Sequence, residues 1–454
     1  MLAPHAVTDF LVRPATRPLR GSVPVPPDKS ITHRALMLGA IADGKSRLVA
    51  PKMGDDNRST MDVLRALGAT FTESDEELVI EGRGLYGLSA PDRDLDCGNS
   101  GTTMRLLTGI LAAQRFRAVL TGDASLSRRP MARVAAPLRL RGARIEGALD
   151  PKRPGDVTAP LVVGPLPEPN VLSALRYDLP IPSAQVKSAI LLSGLYAHGA
   201  TVVAEPLLSR DHTERMLAAL GVPIGRVGAV VELDGPSFSG RLSPFDGAVP
   251  GDLSAAAFLL AAATLVPESE VTVRGVGLNP TRAGFLDLVR LMGGALVPQP
   301  QGDSLGEPIG EITARSASLV ASALGGESVV RAIDEVPILS AMAARAVGVT
   351  EIRDAAELRV KESDRLAAMA KVLRAFGVDC EERPDGLVTS GRPGAPLRAA
   401  IVDAEGDHRI AMSAVILGLV ADGETRVVGV DAVATSFPRF AGTLRALGAD
   451  VRAV

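Results

Sequence analysis

Six times along the chain, an apolar stretch with helical spacing closes on the same phrase. The phrase is an aliphatic residue, two others, a second large residue (apolar in every copy but the second), a glycine and a small or β-branched residue. It reads Leu64-Arg65-Ala66-Leu67-Gly68-Ala69, then Leu138-Arg139-Leu140-Arg141-Gly142-Ala143 and Leu217-Ala218-Ala219-Leu220-Gly221-Val222. It returns as Val289-Arg290-Leu291-Met292-Gly293-Gly294, Leu373-Arg374-Ala375-Phe376-Gly377-Val378 and Leu444-Arg445-Ala446-Leu447-Gly448-Ala449, at a period of roughly 75 residues. Each copy predicts a helix stopped by a glycine C-cap and followed by a strand, as in Val378-Asp379-Cys380. Ahead of most copies lies a β-rich phrase, such as Gly44 to Val49 or Gly423 to Val428, and then a polar, capping-rich turn. The turns are Asp55 to Arg58, Ser127 to Met131 (with Pro130 suited to the first helical position), Ser209 to His212, Asn279 to Arg282, Lys361 to Arg365 and Thr435 to Pro438.

The pattern predicts an α/β protein with mixed sheets. The period is long for a solenoid and suits a βαβαββ unit. Six such units divide as three and three. The seam is expected near Val249-Pro250-Gly251-Asp252, with a second crossing near Pro26-Pro27. The expected domains are therefore 28–248 and 1–27 with 249–454, two similar halves of three repeats each.

Composition narrows the classes. A chain of 454 residues with 46% hydrophobic and 22% charged residues has enough apolar material for two real cores. The net charge of −3 gives no bulk attraction to nucleic acid or acidic membranes, so any basic site must be local. Two distant cysteines, Cys97 and Cys380, suit a reducing compartment and no disulfide framework. Met1 to Arg20 lacks the apolar core of a secretory leader. The longest apolar run, Ala255 to Val266, is too short to span a bilayer and reads as a buried helix. Aromatics are 3% and tryptophan is absent, which argues against stacking platforms. The five histidines show no metal-ligand spacing, so no metal is expected.

Candidate chemistry gathers where helices start. Pro27-Asp28-Lys29-Ser30-Ile31-Thr32-His33-Arg34 precedes an apolar helix. With Ser30 as N-cap, free N–H groups, the positive dipole end, Lys29 and Arg34 would face one anion. Asp96-Cys97-Gly98-Asn99-Ser100-Gly101-Thr102-Thr103-Met104-Arg105 opens a second apolar helix; its glycines admit a ligand to the backbone, and Thr102 and Arg105 supply donors. In Pro182-Ser183-Ala184-Gln185-Val186-Lys187, Gln185 suits a hydroxylated ligand, whereas Lys187 fits a solvated helix face equally well. Lys361 and Arg365 are like charges four residues apart, a repulsion that a bound dianion would reverse and that Glu362 and Asp364 would also quench. Asp407-His408-Arg409 opens a further apolar helix, with His408 expected either in the core or supporting a ligand-contacting residue. No P-loop or nucleophile elbow is present, and neither cysteine has an adjacent base.

These phrases together resemble the 5-enolpyruvylshikimate-3-phosphate synthase family, over essentially the whole chain. The resemblance rests on PDKSITHR (27–34), GNSGTTMR (98–105), SRRPM (127–131), PSAQVKSA (182–189), RDHTE (210–214), NPTR (279–282), IDEVPIL (333–339), LRVKESDRL (358–366), DHRIAMS (407–413) and TSFP (435–438). RDHTE and SAQVK resemble the subgroup that includes glyphosate-tolerant members. The resemblance implies two domains of three βαβαββ units each, the inside-out α/β barrel of the enolpyruvyl transferases, with the site in the cleft between them. It implies transfer of the enolpyruvyl group of phosphoenolpyruvate to the 5-hydroxyl of shikimate 3-phosphate, in the cytoplasm, by a monomer without a cofactor. It also implies the roles of individual residues. Lys29, Ser30, Arg34, Ser183, Ala184, Gln185, Arg210, Asp334 and Lys361 would hold shikimate 3-phosphate. Lys29, Asn99, Gly101, Arg129, Gln185, Arg365 and Arg409 would hold phosphoenolpyruvate. Lys29, Asp334 and Glu362 would carry the proton transfers. No nucleic acid or membrane partner follows from it.

Some positions depart from the family pattern. Pro27 stands where a glycine is common, and Glu357 and Thr435 stand where many members carry Asn and Lys. Position 101 is glycine rather than the alanine of tolerant members. A rival reading is the enolpyruvyl transferase acting on UDP-N-acetylglucosamine. It typically uses a loop cysteine, and the loop phrase here, Ser127-Arg128-Arg129-Pro130, has none. A second rival is a non-catalytic anion-binding relative that keeps the scaffold.

Overall fold

The computed structural model describes residues 9–49, 53–150, 152–168 and 171–454; the first eight residues of the segment read above as no leader lie outside it. Two compact units emerge. The first comprises Pro27–Pro250 with Asp303–Glu307, and the second 9–26, Gly251–Gly302 and Pro308–Val454. The grouping of the short 303–307 segment with the first unit had no signal in the sequence pattern.

The first unit contains α1 (Lys29–Ala40), α2 (Asp55–Ala66), α3 (Gly101–Leu111), α4 (Ala132–Leu140), α5 (Ala184–Gly194) and α6 (His212–Ala219). The second contains α7 (Leu253–Leu265), α8 (Gly284–Leu291), α9 (Gly326–Arg331), α10 (Val336–Ala343), α11 (Arg365–Ala375), α12 (His408–Gly418) and α13 (Phe440–Ala446). Among the described residues, the strands form six open four-stranded sheets. The sheet Leu95–Asp96, Ala118–Thr121, Val157–Val163, Ile145–Leu149 shows the plan. Its first two strands are parallel and joined through α3, and the other two add antiparallel. Parallel neighbours need such a helical crossover, which is why each repeat spends a helix there.

Three sheets borrow their completing strand from elsewhere in the chain. Asp246–Gly247 joins Lys45–Val49, Arg20–Pro24 joins Glu270–Gly277, and Phe10–Val12 inserts between Thr425–Val428 and Val451–Ala453. Edge-to-core alternation follows the sequence: along Lys45–Val49, Ser46 and Leu48 are buried while Lys45, Arg47 and Val49 face solvent. Each unit has its own apolar core, one built on α1, α3 and α5, the other on α7, α10 and α12. The Ala255 to Val266 run is core: α7 is buried at every position.

The repeated glycine does what the phrase required. Gly68, Gly142, Gly221, Gly293, Gly377 and Gly448 all have positive φ, between 75° and 108°, where a side chain would be strained. Pro130, by contrast, does not occupy the first helical position, because Met131 is the N-cap of α4. Gly109 serves packing: a methyl there would overlap the Ala189 carbonyl, so its absence lets α3 lie directly on α5.

Candidate functional site

In the first unit the expected residues stand at helix starts tied together by side chains. Asp28, not Ser30, caps α1, accepting from Ile31 N at 3.0 Å. The expectation for Ser30 is corrected because a buried carboxylate takes the cap two residues earlier, which places Lys29 inside the first turn. Lys29 Nζ lies 2.8 Å from Asp56 Oδ2 at the start of α2, and Asn57 Nδ2 donates to the Lys29 carbonyl at 3.0 Å. Lys29 keeps 22% of its side-chain surface exposed.

Arg34 is almost wholly buried. Its Nε donates to Thr213 Oγ1 at 2.7 Å, Nη2 to Ser188 Oγ at 2.7 Å and Nη1 to the Ser30 carbonyl at 2.8 Å. Three of its five N–H donors thus hold α1, α5 and α6 together. Burial draws this guanidinium down to about 10, against the pull of Glu214 and Asp28, which still leaves it charged at neutral pH.

Around α3 the geometry converges on Gly101. Ser100 caps the helix, accepting from Thr103 N at 3.1 Å. Arg129 Nη2 donates to Asn99 Oδ1 at 2.7 Å, and Asn99 Nδ2 donates to Asp123 Oδ2 at 2.6 Å, which fixes the amide's orientation. A methyl on Gly101 would stand 2.9 Å from Arg105 Nη1 and 3.2 Å from Arg129 Nη1, so two guanidinium groups overhang this glycine. Gln185, at the start of α5, accepts from Arg105 Nη1 at 2.5 Å and donates to Thr102 Oγ1 at 3.0 Å. Ser183 caps α5, and Arg210 lies in the turn before α6.

The second unit holds a different kind of cluster. Arg365, with 1% of its side chain exposed, meets three carboxylates: Asp407 Oδ2 at 2.8 Å, Glu362 Oε2 at 2.6 Å and Asp334 Oδ1 at 3.3 Å. Burial opposes the charge, yet Asp407, Glu362 and Asp334 outweigh it and raise the guanidinium above its ordinary value. Asp407 is buried, which favours its neutral form, but the adjacent Arg365 and His408 hold its carboxyl below the usual range. Asp407 also caps α12, accepting from Arg409 N at 2.9 Å. Arg409 Nη1 donates to the Asp334 carbonyl at 2.9 Å, and its Nη2 lies 3.8 Å from Asp334 Oδ2. Asp334 therefore sits between two arginines.

Lys361 and Arg365 do not share a helical face. A 3₁₀ turn ends at Val360, Asp364 caps α11, and the helix starts at Arg365. The repulsion read from the four-residue spacing is thereby removed, and Lys361 pairs with Glu357 at 3.6 Å. Thr435 Oγ1 bonds the Ala432 carbonyl at 2.7 Å at the end of a 3₁₀ turn. Two groups in these clusters had no role in the sequence reading: Asp56 and Asp407. Their only signal was membership of polar turns rich in capping residues, which does not separate a cap from a ligand.

Comparison with known proteins fits this arrangement. The family model described as EPSP synthase (3-phosphoshikimate 1-carboxyvinyltransferase) matches residues 14–444. The chain belongs to the EPSP synthase family. A relative from Geobacter sp. (strain M21), named 3-phosphoshikimate 1-carboxyvinyltransferase, is 49% identical over 437 residues, covering 96% of this chain and 98% of the relative. One of the same name from Synechococcus sp. (strain JA-3-3Ab) is 48% identical over 450 residues, covering 98% of each. A solved EPSP synthase from Acinetobacter baumannii superposes with a TM-score of 0.86 at 40% identity, covering 98% of this chain and 100% of that one. The two-unit α/β architecture is that of the enolpyruvyl transferase fold. No helix among the described residues is long and apolar enough to cross a membrane.

Proposed function

We propose that this chain transfers the enolpyruvyl group of phosphoenolpyruvate to the 5-hydroxyl of shikimate 3-phosphate, releasing phosphate. The reading rests on family membership together with one observation: a single buried arginine, Arg365, holds the carboxylates of Asp334 and Glu362 at 3.3 and 2.6 Å.

The chemistry needs such a pair. In the addition step a C–O bond forms between the acceptor oxygen and C2 of phosphoenolpyruvate. The acceptor hydroxyl loses its proton and C3 gains one. In the elimination step C3 gives up a proton as the C2–O bond to phosphate breaks. Protons therefore move at two separate atoms, and two carboxylates plus a lysine supply the acids and bases. By family position Asp334 faces the attacking hydroxyl, Glu362 the methylene carbon, and Lys29 donates. Ser30, Arg34, Ser183, Ala184, Gln185, Arg210 and Lys361 hold the acceptor, and Asn99, Gly101, Arg129, Gln185, Arg365 and Arg409 hold the donor. Two polyanions in a protein of net charge −3 require this local surplus of guanidinium groups and helix starts. The enzyme works as a monomer in the cytoplasm.

Cysteine chemistry on a nucleotide sugar has less support. Cys97 is buried, and burial pushes its thiol well up, away from the reactive thiolate. The test is phosphate release from phosphoenolpyruvate with shikimate 3-phosphate or UDP-N-acetylglucosamine as acceptor. Release with the first alone is expected; release with the second alone refutes the reading. A non-catalytic relative would release phosphate with neither.

A further inference from the structure

Lys187 is the cation that the sequence reading left without a place. It is neither solvated nor open to a ligand: its side chain has 0% exposure. Nζ lies 2.5 Å from Glu205 Oε1, 2.7 Å from Glu214 Oε1 and 3.3 Å from the Ser209 carbonyl. The ammonium donates hydrogen bonds to Glu205 and the Ser209 carbonyl, and Glu214 adds an ion pair. Glu205 in turn accepts from the Ser209 backbone N at 3.3 Å and from the Ser209 hydroxyl in a short bond.

Burying three charges is costly unless they are paired. The balance is completed by Arg34, whose charge Glu214 supports and whose Nη2 holds Ser188 one residue after Lys187. Thr213 Oγ1 also donates to Ser188 Oγ at 2.7 Å. Lys187 thus meets two carboxylates between α5 and the 205–214 segment, with Arg34 bonded to the neighbouring Ser188 and Thr213. Burial alone would drive the Lys187 ammonium toward neutrality, but Glu214 and Glu205 outweigh it and raise its pKa.

The location gives this cluster its meaning. Lys187 is in the first turns of α5, whose opening residues are Ser183, Ala184 and Gln185. The carbonyl it grips belongs to Ser209, the residue before Arg210. We propose that Lys187 is a positioning residue for the acceptor site: it clamps the start of α5 to the Ser209–Arg210 turn, so that the groups meeting the acceptor phosphate stand at a fixed spacing before the ligand arrives. This rests on the functional reading above. It also ties together two phrases that the sequence only set side by side, SAQVK and RDHTE, through the Lys187–Glu214 pair. Preorganisation of this kind shows in affinity, because a loose site must order itself on binding. Of the donor-side groups, Asn99 and Arg129 stand on other elements with bonds of their own, and Gln185, the one that α5 shares with the donor, is held separately from α3 by Arg105 and Thr102.

The experiment compares the unsubstituted protein with Lys187→Met, Ser209→Ala and Glu205→Gln. It measures the KM of each substrate, kcat, and calorimetric binding of shikimate 3-phosphate alone. Lys187→Met is expected to weaken shikimate 3-phosphate about tenfold or more in both KM and Kd. The KM of phosphoenolpyruvate should stay within about twofold. Ser209→Ala, which keeps the ion pairs, should shift the same constants in the same direction by less. Where Lys187→Met does not fold, Ser209→Ala and Glu205→Gln decide on the same readout. Unchanged acceptor binding in folded variants, or equal loss for both substrates, overturns the inference alone. No phosphate release by the unsubstituted protein overturns the functional reading, and this inference with it.

Discussion

The two units open on the same device and use it in opposite ways. Each begins at a crossing of the chain with a helix capped by an aspartate: Asp28 for α1 and Asp252 for α7. The two caps are held alike. Asp28 N–H donates to the Pro250 carbonyl at 2.7 Å, and Asp252 N–H to the Pro26 carbonyl at 2.8 Å. Beyond the caps they diverge. In α1 the next residues are Lys29 and Ser30, and the fifth and sixth after the cap are the buried His33 and Arg34. In α7 the corresponding residues are Leu253, Ser254, Ala257 and Phe258.

The ionic partners are exchanged as well. In the first unit the helix supplies the cation and the next turn the anion, Lys29 with Asp56 at 2.8 Å. In the second the helix supplies the anion and the next turn the cation, Asp252 with Arg282 at 2.8 Å. Arg282 also donates to Ser254 Oγ at 2.8 Å and lies 3.7 Å from Glu335, whose carboxylate makes a short bond with Ser254. Only 4% of the Arg282 side chain is exposed, against 22% for Lys29. The opening cation of a unit can therefore stay partly exposed or be sealed into a brace, and burial separates the two cases.

Substitutions at the two cations should separate those uses most sharply. Arg282→Met leaves Asp252 and Glu335 buried with less compensation, and a loss of about 3–5 kcal/mol in denaturant unfolding is expected. A loss under about 1 kcal/mol would mean that the pair is not a brace. Lys29→Met should do the reverse: kcat/KM falls roughly a hundredfold or more, as for loss of a proton-transfer or phosphate-holding group, with the unfolding midpoint nearly unchanged. Equal activity losses at equal stability in both variants would erase the contrast.

The polar interior of α1 should also give the first unit a pH dependence that α7 lacks. Burial holds His33 neutral, lowering its pKa from 6.5 to about 3, with Asp56 opposing and Lys29 assisting. The unfolded chain takes up a proton there below pH 6.5, and the folded chain only near 3. Stability from this group is whole above pH 6.5 and is lost as pH falls toward 3, by up to about 1.4 kcal/mol per pH unit. His33→Asn should flatten the stability profile of the protein across that window. An unaltered slope would show that His33 is not what titrates.

The smallest expected effect is at Gly101. The methyl of Gly101→Ala would meet the ends of Arg105 and Arg129, which are flexible enough to shift. Activity should persist, with a modest rise in the KM of phosphoenolpyruvate, while inhibition by the longer glyphosate weakens by about tenfold or more. An unchanged inhibition constant would count against the steric argument.

Much of the scaffold was legible because it is local. The six LxxLG phrases marked helix ends through left-handed glycines, and the all-apolar run of α7 marked a core helix. The strands borrowed from 10–12, 20–24 and 246–247 were not legible, because pairing partners hundreds of residues apart leave no trace in a window of sequence. The site shows the same division. Motifs named the residue types at Lys29, Gly101, Asp334 and Arg365, but Ser30 was taken for the cap that Asp28 provides, and Lys361 and Arg365 were read onto one helical face that a 3₁₀ turn interrupts.

From the order of residues alone came the repeat, the α/β class and the set of charged groups at helix starts, since periodicity and capping depend on neighbours a few positions away. Which charge meets solvent and which is sealed among partners came only with tertiary structure. Lys29, Lys187 and Arg282 look alike on paper, and long-range packing alone determines how much water each one retains. That retained water sets the strength and the use of every charge in this protein.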